Sequence, residues 1–536
     1  MGCKAVSAVP WRRFGLASVA RAALRPPLVR AVTLAGLLVG FGPGCGLLGI
    51  GPLVGPDYET PEAPLETSWI DFRDTRIQSE ETDLRSWWCV FGDPVLDGLM
   101  EQAGAGSLTL QAAAERVSAA RARRDLAVGF MFPQAQGASG SGGTTRNSEL
   151  TPGANVPGFD RTSTQWNADV GASWEIDFWG RFRRAIEATD AELQASVADY
   201  DDVMVLLYAE VASHYISYRT FQDRVRYLRL NEQIQEGAFN VTKSRFDAGE
   251  VPERDVFEAQ QVLEETRSLI PDAELGARIE NNALCVLTGQ PPRDLSAELG
   301  EGSIPKPPPT VAVGIPADLL RRRPDVRRAE RIAAARCAVI GIAKSDYYPR
   351  LSLLGSLGVA AEHIPDLDKS GADTSFLGMS FTWSILDYGR TASHVAETEA
   401  DFRAAVLDYQ DAVLQAGRET EDALAALFKT QERLVPQAAS ANAAARTVQI
   451  VQDQYAEGEV DFSEVFLFAG NLTTQQDRLA TVQGDVAQAL VDVYRSLGGG
   501  WDTAAEAAAN ADAGAEDETG ADDPAPEPGI DGGSTP

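Results

Sequence analysis

The sequence predicts a mixed α+β fold built twice over: in each copy a long amphipathic β-hairpin leads into a very long coiled-coil helix that turns back on itself. Three observations carry that expectation. The first is an offset of 209 residues, at which Trp174 meets Trp383, Ile176 meets Ile385, Gly180-Arg181 meets Gly389-Arg390, Glu210 meets Glu419 and Gly249-Glu250-Val251 meets Gly458-Glu459-Val460. About ninety residues stay in register without an insertion, the trace left by helices of fixed length. The second is a stretch of period two in each copy, and the third is a heptad pattern running without proline from Arg181 to Phe246.

The N-terminus reads as an export signal. Residues 1–44 hold Lys4, Arg12, Arg13, Arg21, Arg25 and Arg30 and no acid, and the apolar run Ala31 to Phe41 precedes Gly42-Pro43-Gly44-Cys45. That run falls short of the ~20 residues of a spanning helix, so 1–44 is expected to be removed. A cysteine at this place is the layout of a bacterial lipoprotein, with Cys45 as the acylated first residue of a segment 45–86; a plain signal cleaved nearby is the alternative. No other cofactor is expected. Cys89, Cys285 and Cys337 are too widely spaced for a CxxC metal site and read as simple buried thiols. At the other end, 502–536 carries ten acids and no Lys or Arg, the composition of a disordered acidic tail. The formal net charge of -31 argues against nucleic acid as a partner.

Between these ends lie a first repeat (87–289), a proline-rich linker (290–316) and a second repeat (317–501). Each repeat opens with an alanine-rich helix, Gln111 to Phe130 and Asp325 to Tyr347, that stops at Pro133 or Pro349. The period then changes to two. From Thr164 to Phe178 the even positions are mostly apolar and the odd ones polar; Leu377, Met379, Phe381, Trp383 and Ile385 alternate likewise, as do Leu351, Leu353, Leu357 and Val359. The strand after Pro133 is weaker, being mostly Ala, Gly, Ser and Gln. Asp169, Glu175 and Asp177 fall on the polar face and are candidate lumen residues, although alternation does not separate a lumen from a wet outer surface. Strands of this length, with Trp166, Trp174, Trp179 and Trp383, suit a membrane-spanning sheet with aromatic belts; a soluble hairpin is the alternative. Backbone in lipid must be paired, and four strands do not close a pore, so a spanning sheet requires several chains; three would supply twelve strands.

Gly180-Arg181 and Gly389-Arg390 release the chain into rods. Ile186, Leu193, Val197, Tyr200, Met204, Leu207, Val211, His214, Tyr218 and Leu228 step by threes and fours, a coiled-coil seam. About 65 residues at ~1.5 Å each give a rod on the order of 100 Å. Pro436 predicts a kink in the second rod. After Gly249 and Gly458 the chain returns along Glu253 to Thr288 and Phe462 to Leu497.

These residues resemble the outer-membrane efflux protein family, the TolC-like channel subunits, and especially its lipoprotein branch serving resistance-nodulation-division pumps. The likeness runs from about Val54 to Trp501. It is carried by Gly55-Pro56-Asp57-Tyr58, Trp87-Trp88 through Phe91-Gly92-Asp93-Pro94, Trp174 through Arg181, Leu319-Leu320-Arg321-Arg322-Arg323-Pro324-Asp325-Val326, and Tyr494-Arg495 with Leu497-Gly498-Gly499-Gly500-Trp501. The resemblance implies a homotrimer in the outer membrane of a Gram-negative bacterium, with a shared twelve-stranded barrel continued by a helical tunnel in the periplasm. It implies a passive duct for drugs or other small toxic molecules, energised by an inner-membrane transporter and coupled through a periplasmic adaptor.

The resemblance also puts the gate and the adaptor-docking surface at the helix tips: Phe246, Gly249, Val251, Asp255 and Glu258 in the first copy, Tyr455, Gly458, Val460 and Glu464 in the second. Arg254 is a restraining partner for Asp255. Acids brought together by symmetry repel unless paired or protonated. An ordinary helix start, with acids at the positive end of the dipole, is the alternative for each residue. Leu467 departs from the family's acid at that position. An enzyme is disfavoured because His214, His363 and His394 are scattered and no HExxH, Walker loop or GxSxG accompanies them. The remaining rivals are a duct for type I protein secretion or metal-ion export, and a periplasmic coiled-coil scaffold.

Overall fold

The computed structural model describes residues 51–501 apart from 65, 67, 79–83, 149, 151–159 and 313–321. The expected signal peptide, Cys45 and the acidic tail lie outside the described residues.

The chain is a bundle of rods capped by a small sheet. Helices α1 (Pro94–Gly106) and α2 (Leu108–Gly129) lead to strands β1 (Ala135–Arg146) and β2 (Thr162–Ile176). The rod α3 (Arg181–Asp247) and its return α4 (Glu253–Leu287) follow. The second copy repeats the order as α5 (Pro324–Ser345), β3 (Arg350–Ala361), β4 (Asp373–Thr382), the rod α6 (Arg390–Glu457) and its return α7 (Phe462–Ser496). The rods have 67 and 68 residues and the returns 35 each. The linker region holds a short helix, Ser296–Leu299, and the pair Val311–Ala312, which runs parallel to Ile77–Gln78.

Each rod starts after a glycine in the left-handed region, Gly180 at φ 82° and Gly389 at φ 85°, a conformation that penalises any residue with a Cβ. Pro436 lies inside α6 without ending it, as does Pro271 inside α4. Beside Pro436 the amide of Gln437 donates to the backbone and side-chain oxygens of Gln475 on α7, at 3.2 and 3.0 Å, tying down the turn that proline weakens.

The main core sits where α1, α3, α4, α6 and α7 meet below the sheet. Trp87 stacks on Tyr494 with centroids 5.3 Å apart, Trp88 packs on Tyr208, and Leu96, Met100, Ile216, Leu427 and Leu490 are almost wholly buried. Burying a side chain of this size contributes about 1.5–3 kcal/mol. Asp93 fixes the start of α1, its carboxylate accepting from the N–H groups of Val95 and Leu96. Of the three thiols expected to be simple and buried, Cys285 and Cys337 are buried and free, whereas Cys89 is only half-buried.

The heptad seam is only partly where the sequence puts it. Val211, Tyr218 and Leu228 are buried, but at the top of α3 the buried positions are Ala188, Ala191, Ala195 and Ala198. Ala191 packs with Ala334 and Ala335 of α5, small residues that let two helices approach closely. Ile186, Leu193, Val197 and Tyr200 stay half-buried beside that seam. Further down, the seam is polar: Asn231 donates to Gln476 at 2.8 Å and Gln235 to Thr473 at 3.4 Å, both from α3 to α7. Buried polar pairs of this kind fix the register of a coiled coil.

Candidate channel wall and tip turns

The sheet is antiparallel throughout, in the order β1-β2-β3-β4. Its register puts Trp166, Val170, Trp174, Leu351, Leu353, Leu357, Leu377, Met379 and Phe381 on one face. Much of that apolar face is open: Leu357, Leu377, Met379 and Phe381 are all more than half exposed. The opposite face carries Ser139, Ser141, Asn167, Asp169, Ser352, Ser356 and Ser380. Ser139 donates to Asp169 at 2.9 Å and Ser141 to Asn167 at 3.0 Å across the first hairpin. Gly142 lies under the ring of Trp166, where a Cβ would stand 2.0 Å from the indole, so the indole lies flat along the strand pair.

Asp169 and Glu175 lie on the polar face, Glu175 at 4.0 Å from Arg181. Asp177 does not. It follows the end of β2 and is buried, its carboxylate accepting from the N–H groups of Phe182 and Arg183 at 3.0 and 3.1 Å and from Arg183 Nε at 3.0 Å. It satisfies the free amides at the start of α3, where a negative charge is also favoured by the helix dipole, and it is therefore structural. Leu354 and Phe376 interrupt the polar face. Phe376 lies opposite Ser356, with its ring against Gly378.

The two tips are built on one turn. Gly249 donates to the Phe246 carbonyl and Glu250 to that of Arg245, at 2.8 and 2.9 Å; Gly458 donates to Tyr455 and Glu459 to Gln454, at 3.1 and 2.9 Å. Both glycines are left-handed, at φ 77° and 80°. The side chains then diverge. At the first tip Phe246, Gly249 and Arg254 are exposed, Val251 and Glu258 half-buried and Asp255 buried. Arg254 lies 3.4 Å from Asp255 and 3.5 Å from Glu258, an ion pair with each. At the second tip Glu464 and Gly458 are exposed and Val460 half-buried, while Tyr455 is buried edge-on against Phe462, with Val451, Val465 and Ala259 around them.

Arg245 bridges the two tips, and pattern reading missed it. Its Nη1 donates to the Tyr455 carbonyl at 2.8 Å, its guanidinium covers the Tyr455 ring at 4.8 Å, and Nε lies 3.3 Å from Glu250. Thr242 adds a second link, to the Tyr455 hydroxyl at 3.3 Å. Phe462, also missed, stands where the first copy has Glu253.

Among the described residues no helix is long and apolar enough to cross a membrane. The sequence pattern that defines the family described as "Outer membrane efflux protein" matches residues 99–290 and 315–499. The chain belongs to the outer membrane efflux protein family. It is 28% identical over 475 residues to Nodulation protein T of Rhizobium leguminosarum bv. trifolii, covering 87% of this chain and 98% of that protein. It is 27% identical over 467 residues to the Solvent efflux pump outer membrane protein SrpC of Pseudomonas putida, covering 85% and 96%. The solved outer-membrane channel OprN superposes with a TM-score of 0.78 at 32% identity, covering 84% of this chain and 99% of that one. The fold is that of the TolC-like outer-membrane channels, and the chain is an outer-membrane channel subunit of an efflux system.

Proposed function

We propose that three copies of this chain pool their hairpins into one twelve-stranded barrel and their rods into one periplasmic tunnel, a passive duct for small toxic molecules. The observation that carries this reading is the sheet itself: four strands with one apolar face and two unpaired edges, β1 and β4. In a bilayer those edges would each leave a row of unpaired backbone groups, which only closure with further strands removes.

Energy comes from an inner-membrane resistance-nodulation-division transporter, and a periplasmic adaptor docks at the tip turns. Cys45 carries a lipid. In support, the Gly51 carbonyl accepts from Arg183 and the Val54 N–H donates to the Trp179 carbonyl at 3.1 Å, which holds the start of the described chain at the junction of sheet and rod. The buried guanidinium of Arg184 grips the same strap through the Val54 and Gly55 carbonyls and Asp57. Six residues at ~3.3–3.6 Å each let Cys45 lie about 20 Å away, within reach of the adjacent leaflet.

The test is deletion of the gene followed by exposure to a broad panel of solvents, dyes and drugs. Raised sensitivity, restored by the full-length gene, is expected. Unchanged sensitivity together with loss of a secreted protein would replace this reading with type I secretion, and selective sensitivity to metal ions would replace it with metal export. Cys45→Ala should leave the protein unacylated; persistent acylation would overturn the anchor.

A further inference from the structure

We propose that the seam between neighbouring subunits repeats the seam inside each subunit, so that β4 of one chain pairs with β1 of the next in the register where paired residue numbers total 521. This rests on the trimeric barrel proposed above.

The inner seam is β2 against β3, where paired numbers total 527, from Trp166 opposite Ala361 to Ile176 opposite Leu351. Strand β2 maps onto β4 by the 209-residue offset, and the structure repeats a contact at that offset: Trp174 Nε1 donates to the Met131 carbonyl at 3.1 Å, and Trp383 Nε1 to the Tyr347 carbonyl at 2.9 Å. The hairpin registers, totalling 308 in the first copy and 732 in the second, then map β1 onto β3 by 215. Applying both shifts to the inner seam gives 521. Met131 and Tyr347 are 216 apart; the extra residue of the first copy is Gln134, whose amide folds back onto the Phe130 and Glu175 carbonyls.

Two independent features agree. The apolar face uses even numbers on β1 and odd numbers on β4, so only an odd total keeps both apolar faces on one side, and a slip of one residue would turn Leu377, Met379 and Phe381 inward. The register also sets Met379, Phe381 and Trp383 opposite Gly142, Gly140 and Ala138, bulky against small. At the foot of the inner seam Trp179 stacks on Tyr348 at 4.4 Å and donates to the Pro349 carbonyl at 2.9 Å. The offset of 209, and the offset of 216 that holds before Gln134, carry that stack to Tyr388 and Phe132, which are 96% and 54% exposed in the single chain. Tyr388 is held at φ 55°, an uncommon setting for a bulky residue. A second copy supplies the missing ring.

The full-length protein in outer membranes, carrying Ser141→Cys with Ser380→Cys, should oxidise to covalent trimers on non-reducing gels. Ser380→Cys with Ser139→Cys or with Gly143→Cys should give about a tenth as much or less, because diagonal neighbours lie ~7–8 Å apart, beyond disulfide reach. A higher yield from either diagonal pair overturns the register, as does a native trimer that none of the three pairs cross-links; a monomer overturns the trimeric reading itself. Phe132→Ala and Tyr388→Ala should each lower the temperature at which trimers dissociate, and the double variant should be no worse than the poorer single one. Additive losses would overturn the stack.

Discussion

The two tips stand 209 residues apart on copies of one turn, with the same pair of backbone hydrogen bonds, yet different side chains hold them. The first is open and tied by charge: Phe246 is 38% exposed, and Arg254 reaches Asp255 and Glu258. The second is closed and tied by packing, with Tyr455 at 6% and Phe462 at 2%. Duplication fixed the backbone, because glycine in the left-handed region and equal rod lengths leave little freedom; it did not fix the contacts. Exposed ion pairs contribute at most about 1 kcal/mol, whereas a buried aromatic contributes several times that, so the first tip is the less tightly held of the two.

The rods differ in the same sense, and pH should expose this most strongly. Asp201 on α3 is buried, and burial pushes its carboxyl up to about 7 against the opposing pull of Arg327; its neighbour Asp202 is pushed up to about 6. The second rod has Gln410 and the exposed Asp411 at those places. Between pH 4 and 7 the folded chain holds protons that the unfolded chain releases, so this contribution is full below about 4 and is lost as pH rises through 7. Unfolding temperature should therefore fall from pH 5 to pH 8. At roughly 1.4 kcal/mol per unit the ceiling for Asp201 is about 4 kcal/mol. Asp201→Asn should flatten the profile and Asp411→Asn should not; the reverse would sink this contrast.

Tyr455→Ala should cost the second tip about 3 kcal/mol, and Phe246→Ala at the equivalent place less than about 1 kcal/mol. Amide hydrogen exchange across both tips measures this, and equal losses would erase the asymmetry. Arg245→Ala should cost about 1–2 kcal/mol, speed exchange at both tips and raise single-channel leak in planar bilayers, since one side chain joins them. An effect confined to its own tip would remove it as the bridge. Smallest and symmetric, Gly249→Ala and Gly458→Ala should each cost about 1 kcal/mol through the left-handed turn alone.

Sequence patterns reached the tips because an internal offset needs no knowledge of packing, and they reached the hairpins because period two survives wherever one face is apolar. They failed where a contact is single and distant. Arg245 meets the backbone of Tyr455, 210 residues away, which no periodicity encodes. Asp177 kept the parity of a strand position but lies past the strand's end, where the needs of the helix start govern it. The alanine seam of α3 was hidden because bulky heptad residues beside it gave the stronger signal, and Leu354 and Phe376 show that a polar face admits apolar members.

In the proposed duct one chain is a third of a closed wall. Light scattering of the full-length protein in mild detergent, with bound detergent subtracted, tests this most directly. A mass of three processed chains is the predicted result, and a stable mass of one chain, with its sheet edges unpaired, would contradict it.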